Sequence, residues 1–101
     1  MILIYVVCAN RDEAKRITRY LLEQRLAACT NMVPIESTYW WEGRIVEDNE
    51  VGLILKTVSA NFDRVKEAVQ SIHSYKVPCI IAIEVGRVEE KYLAWLRGEV
   101  R

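Results

Sequence analysis

The sequence has no excess of charge of either sign. Its 14 Lys and Arg residues are balanced by 14 Asp and Glu residues, so the formal net charge at pH 7 is zero. No run of Lys or Arg stands out, whereas proteins that capture nucleic acids usually present a basic surface to the phosphates. We therefore expect neither DNA nor RNA among the partners of this chain.

Long hydrophobic runs are also missing. The apolar N-terminal stretch, residues 1–8, is far shorter than the roughly 20 residues that cross a bilayer as a helix. It lacks the basic leader and the small-residue cleavage site of a secretory signal. We therefore expect a buried strand here and no association with a membrane.

Cysteine and glycine are both scarce. Cys8, Cys29 and Cys79 are too few and too widely spaced for a disulfide framework, and an odd number leaves at least one thiol free. Free thiols favour a reducing, cytoplasmic setting. The four glycines are scattered, and none falls in a phosphate-binding pattern such as GxGxxG or GxxxxGK.

What the sequence does contain is four segments with the pattern of β-strands. They are residues 2–8, 29–41, about 45–56 and 77–85. The pair Glu42–Gly43 predicts a tight reversal, so the second and third strands form one long hairpin. Pro34 cannot donate a hydrogen bond, and it therefore predicts a bulge or an exposed edge.

Three further segments have helical periodicity. The first begins at Asn10, whose side chain can cap the helix while Glu13 reaches back to the cap in a capping box. The second spans about residues 61–74. Its predicted buried face consists of Phe62, Val65, Val69 and Ile72. The third is short, covers residues 92–96, and has Gly98 placed to cap its C-terminus.

The order β-α-β-β-α-β plus a terminal helix predicts an α+β protein with a split βαβ arrangement. We expect one domain over residues 1–101 and an antiparallel sheet in the order 4-1-3-2. In that topology the first strand and the second helix end where the fourth strand begins. Cys8, His73 and Cys79 should therefore gather at one end of the sheet, and Cys29 should lie at the other.

Cys8 and His73, the only histidine, are candidate metal ligands. A thiolate and an imidazole suit soft or borderline cations such as copper, and Cys79 is a candidate supplementary ligand from the topology alone. A structural alternative exists for each residue, since a cysteine in an apolar strand often serves as a small hydrophobe and a histidine at a helix end complements the dipole. Neither CxxC nor HxxxH spacing is present.

Catalysis by cysteine is not expected. Cys29 lies in LAACTN, which could present a nucleophilic thiol, but such a thiol needs a base within hydrogen-bond reach. His73 is predicted at the far end of the sheet from Cys29. No other set of nucleophile, base and orienting group is present, so we expect the protein not to be an enzyme.

The segment STYWWEG concentrates three aromatic residues, Tyr39, Trp40 and Trp41, near the tip of the hairpin. Exposed aromatic residues there would mark an interface. Strands of about 13 residues also extend beyond what two short helices can cover. We therefore expect an oligomer interface on the hairpin; the alternative is that the rings cover their own sheet.

Five segments of the sequence resemble the divalent-cation tolerance protein CutA family in their order and spacing. They are LAACTN, YWWEG, EVGLILKT, HSYKVPCI and YLAWL, at residues 26–31, 39–43, 50–57, 73–80 and 92–96. The resemblance runs over essentially the whole chain.

This resemblance implies a ferredoxin-like fold and a stable homotrimer in which the long hairpins of neighbouring subunits pair. It also implies a cytoplasmic, non-enzymatic role in tolerance of copper and other divalent metals. The ligands of copper-binding members map onto Cys8 and His73, so Cu²⁺ or another divalent cation is the expected ligand. Ser74 replaces the proline of the common pattern and Ile72 precedes His73, so a paired histidine is absent and a weaker site is expected.

Two alternatives remain. One is a trimeric sensor of nucleotides or other small molecules that resembles the PII signalling proteins, which share the fold and the trimeric form. Such sensors carry a long mobile loop between the second and third strands, where this chain has the tight Glu42–Gly43 turn. The other alternative is a purely structural assembly module.

Overall fold

The computed structural model describes residues 1–101, which form four strands, three α-helices and a short 3-10 turn. In chain order these are β1 (Ile2–Cys8), α1 (Arg11–Glu23), β2 (Cys29–Trp41), β3 (Arg44–Thr57), the 3-10 turn (Ser59–Asn61), α2 (Phe62–Ile72), β4 (Ile80–Glu84) and α3 (Glu90–Glu99). The sheet is antiparallel in the order β2-β3-β1-β4. This is the predicted order in reverse, and it confirms the α+β class and the split βαβ arrangement.

The long hairpin forms as predicted. β2 pairs with β3 without interruption from Cys29 opposite Lys56 to Trp41 opposite Arg44. Glu42 and Gly43 both have positive φ, 49° and 77°, which is the signature of the two-residue turn that matches the twist of a hairpin. There is no bulge at Pro34; β2 is an edge strand, where a missing N–H is tolerated.

One face of the sheet, which we call the helix face, packs against α1 and α2. Alternate residues of β1 point into this core because successive strand residues face opposite sides. The fully buried side chains of the core come from β1, β3 and the two helices: Ile2, Ile4, Val6, Cys8, Ala14, Ile17, Leu21, Leu53, Leu55, Val65 and Val69. Burial of these apolar side chains is the main stabilising term for the fold.

The opposite side, which we call the second face, is only partly covered. Gly52 lies there, and a Cβ atom at that position would stand 3.1 Å from the Tyr5 ring, so glycine allows the close approach. Lys56 lies over the Tyr92 ring of α3, which covers one end of this face. At the β4 edge, Ile81 and Ile83 remain 51% exposed.

Several predicted boundaries differ from the structure. β4 begins at Ile80, three residues later than predicted, and Val77 is exposed. α2 ends at Ile72 with His73 as its cap, and Ile72 is exposed instead of buried. Gly98 lies inside α3, whose C-terminal cap is Val100. None of the helices has both the length and the apolarity needed to span a membrane.

Candidate metal centre

Cys8 ends β1, and its thiol points into the helix face. The residue is fully buried, as the strand alternation requires. Burial raises the pKa of the Cys8 thiol to about 12, and the charges of Glu13 and Glu50 add to the effect. The thiol is therefore protonated at neutral pH.

His73 follows the last turn of α2, and its imidazole is fully buried against the end of β1. Nε2 lies 2.8 Å from the Val7 carbonyl oxygen, and Nδ1 lies 3.0 Å from the Tyr75 backbone nitrogen. A carbonyl can only accept and an amide N–H can only donate, so Nε2 carries the proton and Nδ1 accepts. The ring bonds to β1 and to its own downstream segment, not to the terminal carbonyls of α2.

Glu13, in the first turn of α1, is a third member of this site that the sequence-based ligand assignment missed. Its side chain is buried, and Oε1 lies 3.7 Å from Nε2 of His73. The capping prediction is half right: Asn10 accepts a hydrogen bond from the Glu13 N–H, at 2.9 Å, as expected. The Glu13 carboxylate, however, accepts from Ala9 and Ser74 instead of Asn10, at 2.9 and 2.8 Å.

These contacts set the charge of Glu13. Desolvation by burial favours the neutral acid, but the hydrogen bonds from Ala9 and Ser74, together with His73, outweigh it and lower the pKa of the carboxyl. Glu13 is therefore a carboxylate at neutral pH. It ties the start of α1 to the segment that follows α2, 61 residues later in the chain.

A sequence signal for Glu13 did exist. Glu13, Ile17 and Leu21 are spaced four residues apart, and all three are buried on one side of α1. An acid on the apolar stripe of a helix is rarely buried without a partner. Its position in the stripe therefore indicates a polar or ionic site at the start of α1.

The structure brings one ligand atom from each of Cys8, Glu13 and His73 to within 4.8 Å of one another. The expected meeting of Cys8 and His73 is thus present in the fold. Cys29 lies at the opposite end of the sheet, opposite Lys56, which is also as predicted.

Cys79 lies at the expected end of the sheet but does not join this group. Its carbonyl accepts from the Val7 N–H at 3.4 Å, so it is the neighbour of Val7 across the β1–β4 ladder. Val7 lies on the second face, whereas Cys8 lies on the helix face. The Cys79 thiol lines a pocket with Val7 and Glu50 instead.

The donor set of thiol, carboxylate and imidazole fits a borderline cation such as Cu²⁺ or Zn²⁺. Three ligands on one such ion lie roughly 3.5 Å apart, so the group needs only a small contraction. Binding also has a cost, since Cys8 must lose its proton. If the cation binds Nε2, the imidazole proton moves to Nδ1, which can then no longer accept the hydrogen bond from the Tyr75 N–H. If the cation binds Nδ1, it takes the place of the Tyr75 N–H directly.

Comparisons with known proteins agree with this architecture. A family model described as CutA1 divalent ion tolerance protein matches residues 2–99. The Divalent-cation tolerance protein CutA of Archaeoglobus fulgidus is 44% identical over 93 residues, which cover 92% of this chain and 91% of that protein. The protein of the same name from Pyrococcus horikoshii is 43% identical over 101 residues, covering 100% and 99%.

Solved structures give the same result for the fold. The structure called the periplasmic divalent cation tolerance protein CutA from Archaeoglobus fulgidus superposes with a TM-score of 0.98 at 42% identity, covering 100% of both chains. The Cut A1 protein of Thermus thermophilus superposes with a TM-score of 0.95 at 38% identity, also covering 100% of both chains. With the fold, the sequence and nearly the whole length in agreement, the chain belongs to the CutA1 divalent ion tolerance protein family.

Proposed function

We propose that this protein is a non-enzymatic binder of divalent cations, with copper as the leading candidate, and that Cys8 and His73 are its principal ligands. The observation that carries the proposal is the convergence of Cys8, Glu13 and His73 within 4.8 Å. Glu13 supplies the permanent negative charge, and Cys8 supplies a soft donor once its proton is displaced. The family name supports a role in tolerance of such ions.

Calorimetric titration of the full chain with Cu²⁺, Zn²⁺ and Mg²⁺ tests this assignment. We expect binding of Cu²⁺ and Zn²⁺ but not of Mg²⁺, which prefers oxygen ligands and keeps its water. Cys8→Ser and His73→Ala should each weaken Cu²⁺ binding by at least about tenfold. Cys29→Ser is the matched control, since Cys29 lies at the other end of the sheet, and its affinity should not change.

Two outcomes contradict the assignment. Equal Cu²⁺ affinity in the wild type, Cys8→Ser and His73→Ala would place the binding elsewhere. A loss in Cys29→Ser as large as the loss in Cys8→Ser would point to general thiol chemistry. Circular dichroism of each variant separates loss of a ligand from loss of the fold.

We also propose that the protein functions as a homotrimer in which the β2–β3 hairpins pair across subunits. Two observations support an assembly through the hairpin. Trp40 and Ile45 face each other across β2 and β3 near its tip, and they are 72% and 61% exposed. The longest dimension of the chain is 45 Å against 25 and 21 Å for the others, so the hairpin extends well past its own core.

Light scattering after size exclusion tests the trimer. The expected mass is three times the 11.7 kDa of the chain. Trp40→Ser should lower the mass or the thermal stability of the assembly. Trp95→Ser changes a partly exposed tryptophan of α3 and is the matched control. A monomeric wild type, or equal effects of the two substitutions, would refute the hairpin interface.

A reducing, cytoplasmic setting belongs to the same proposal. All three cysteines are free thiols. The Archaeoglobus fulgidus relative is called a periplasmic protein, so fractionation of the source cells is the direct test.

A PII-like sensor is less well supported, because the two-residue turn at Glu42–Gly43 leaves no long loop between β2 and β3.

A further inference from the structure

A pocket of about 560 Å³ opens at the same end of the sheet as the candidate metal centre, but beside Cys79 and Val7 of the second face. Its volume lies in the range of small-molecule sites. Seven of its ten lining residues are hydrophobic. Its walls include the rings of Tyr39, Trp41 and Tyr75.

Glu50 is the unusual member of this lining. It is only 7% exposed, and no Lys, Arg or His side chain of the chain forms an ion pair with it. The Tyr75 hydroxyl donates to Oε2 at 2.6 Å, which leaves Oε1 without a protein donor. Carboxylates with so little exposure are usually paired with a cation, whereas the free oxygen of Glu50 keeps contact only with the solvent of the pocket. The chain itself does not supply that cation.

No neighbouring side chain neutralises Glu50 by direct contact. Burial first, and then the charge of Glu50, raise the pKa of the Cys79 thiol, so the neighbouring sulfur stays protonated. The Tyr39 hydroxyl donates to Asp48, a second carboxylate beside the pocket. Lys76 is the one basic residue in the lining, but its side chain is exposed and makes no ion pair with Glu50.

The lining selects among cations. A hard ion such as Mg²⁺ or Ca²⁺ is bound by several oxygen ligands and keeps part of its water, and one carboxylate among mostly apolar walls suits such a hydrated ion poorly. Aromatic rings, in contrast, attract organic cations through their faces and pack against apolar groups. A neutral molecule would leave the charge of Glu50 uncompensated.

We propose that this pocket is a binding site for a small organic ammonium ion. The ammonium group pairs with the free oxygen of Glu50, and the apolar part of the ligand packs against Tyr39, Trp41 and Tyr75. The site is distinct from the candidate metal centre, because Cys8 and Glu13 lie on the helix face and line no part of the pocket.

Benzylammonium is a suitable probe, with benzyl alcohol and benzoate as its neutral and negative counterparts. Trp40 and Trp41 both line the pocket, whereas Trp95 lies in α3 against Tyr92. Tryptophan fluorescence of the full assembly in a Trp95→Phe background therefore reports on the pocket. EDTA in the buffer removes metal ions from the measurement.

We expect benzylammonium to quench this fluorescence saturably and to bind at least about tenfold more tightly than benzyl alcohol or benzoate. Glu50→Gln should weaken the binding of benzylammonium by at least about tenfold, since glutamine keeps the shape of the side chain and removes its charge. Glu47→Gln removes an exposed carboxylate from the same strand outside the pocket, and the affinity should stay within about twofold.

Several results would overturn the proposal. One is equal affinity for the amine and the alcohol, and another is a Glu50→Gln variant that binds the amine as well as the wild type. Absence of amine binding at about 10 mM also contradicts the proposal. If Glu50→Gln does not fold, the comparison of amine and alcohol on the unaltered pocket still decides the question.

Discussion

Two buried glutamates lie at the same end of the sheet, one on each face, and they differ in the partners of their carboxylates. On the helix face, Glu13 accepts backbone hydrogen bonds with both oxygens and lies beside the imidazole of His73. On the second face, Glu50 accepts a single hydrogen bond from Tyr75 and forms no ion pair. The difference is that the fold gives Glu13 two backbone donors and gives Glu50 one hydroxyl donor, which is the contrast on which the proposed ammonium site rests.

The largest expected effect is on stability. Glu13→Ala leaves the amides of Ala9 and Ser74 without their acceptor in a partly buried region, and each lost hydrogen bond costs roughly 1–2 kcal/mol. We expect the free energy of unfolding to fall by about 3 kcal/mol. Glu50→Ala removes an unpaired charge and should cost about 1 kcal/mol or less.

Urea unfolding of the two alanine variants at one protein concentration measures this difference. A Glu50→Ala loss as large as the Glu13→Ala loss would mean that Glu50 has a structural partner in the assembly. In that case the two glutamates would not differ in their contribution to the free energy of unfolding.

The second effect concerns proton release on metal binding. Because the pKa of Cys8 is about 12, a cation that binds the thiolate must displace a full proton at neutral pH. The apparent Cu²⁺ affinity should therefore rise about tenfold per pH unit between about pH 6 and 8. Cys8→Ser should bind more weakly and lose most of this slope; a wild-type affinity that does not vary with pH would exclude the thiol as a ligand.

The meeting of Cys8 and His73 could be predicted because it depends only on the order of the elements and on where each residue stands in its own element. The partners of Glu13 could not, since the carboxylate bridges Ala9 and Ser74, and the bond to Ser74 depends on how closely α2 packs beside α1. The placement of Cys79 required the β1–β4 register, which decides the face of the sheet. Pro78 explains the short fourth strand, because it cannot donate to the ladder.

A smaller effect follows from the charge of Glu13 in acid. The folded state lowers the pKa of this carboxyl below its ordinary value of 4.5, so its contribution to stability is full above that value. It is lost as the pH falls through the folded-state pKa, because the unfolded chain takes up the proton first. Urea unfolding between about pH 6 and 3 should show a decline in the wild type that is reduced in Glu13→Gln; parallel declines would contradict this assignment.

The smallest expected effect tests whether the hydrogen bond to Glu50 on the second face is coupled to metal binding on the helix face. The segment from His73 to Tyr75 belongs to both, because the His73 ring lies 4.9 Å from the Tyr75 ring and Nδ1 accepts from the Tyr75 backbone. Tyr75→Phe removes the hydroxyl that donates to Glu50 and should cost about 1 kcal/mol of stability. The backbone N–H that His73 uses is retained, so the Cu²⁺ affinity should stay within about twofold. A loss of tenfold or more would mean that the hydroxyl bond on the second face holds the imidazole in position, and the two sides would then be one coupled site.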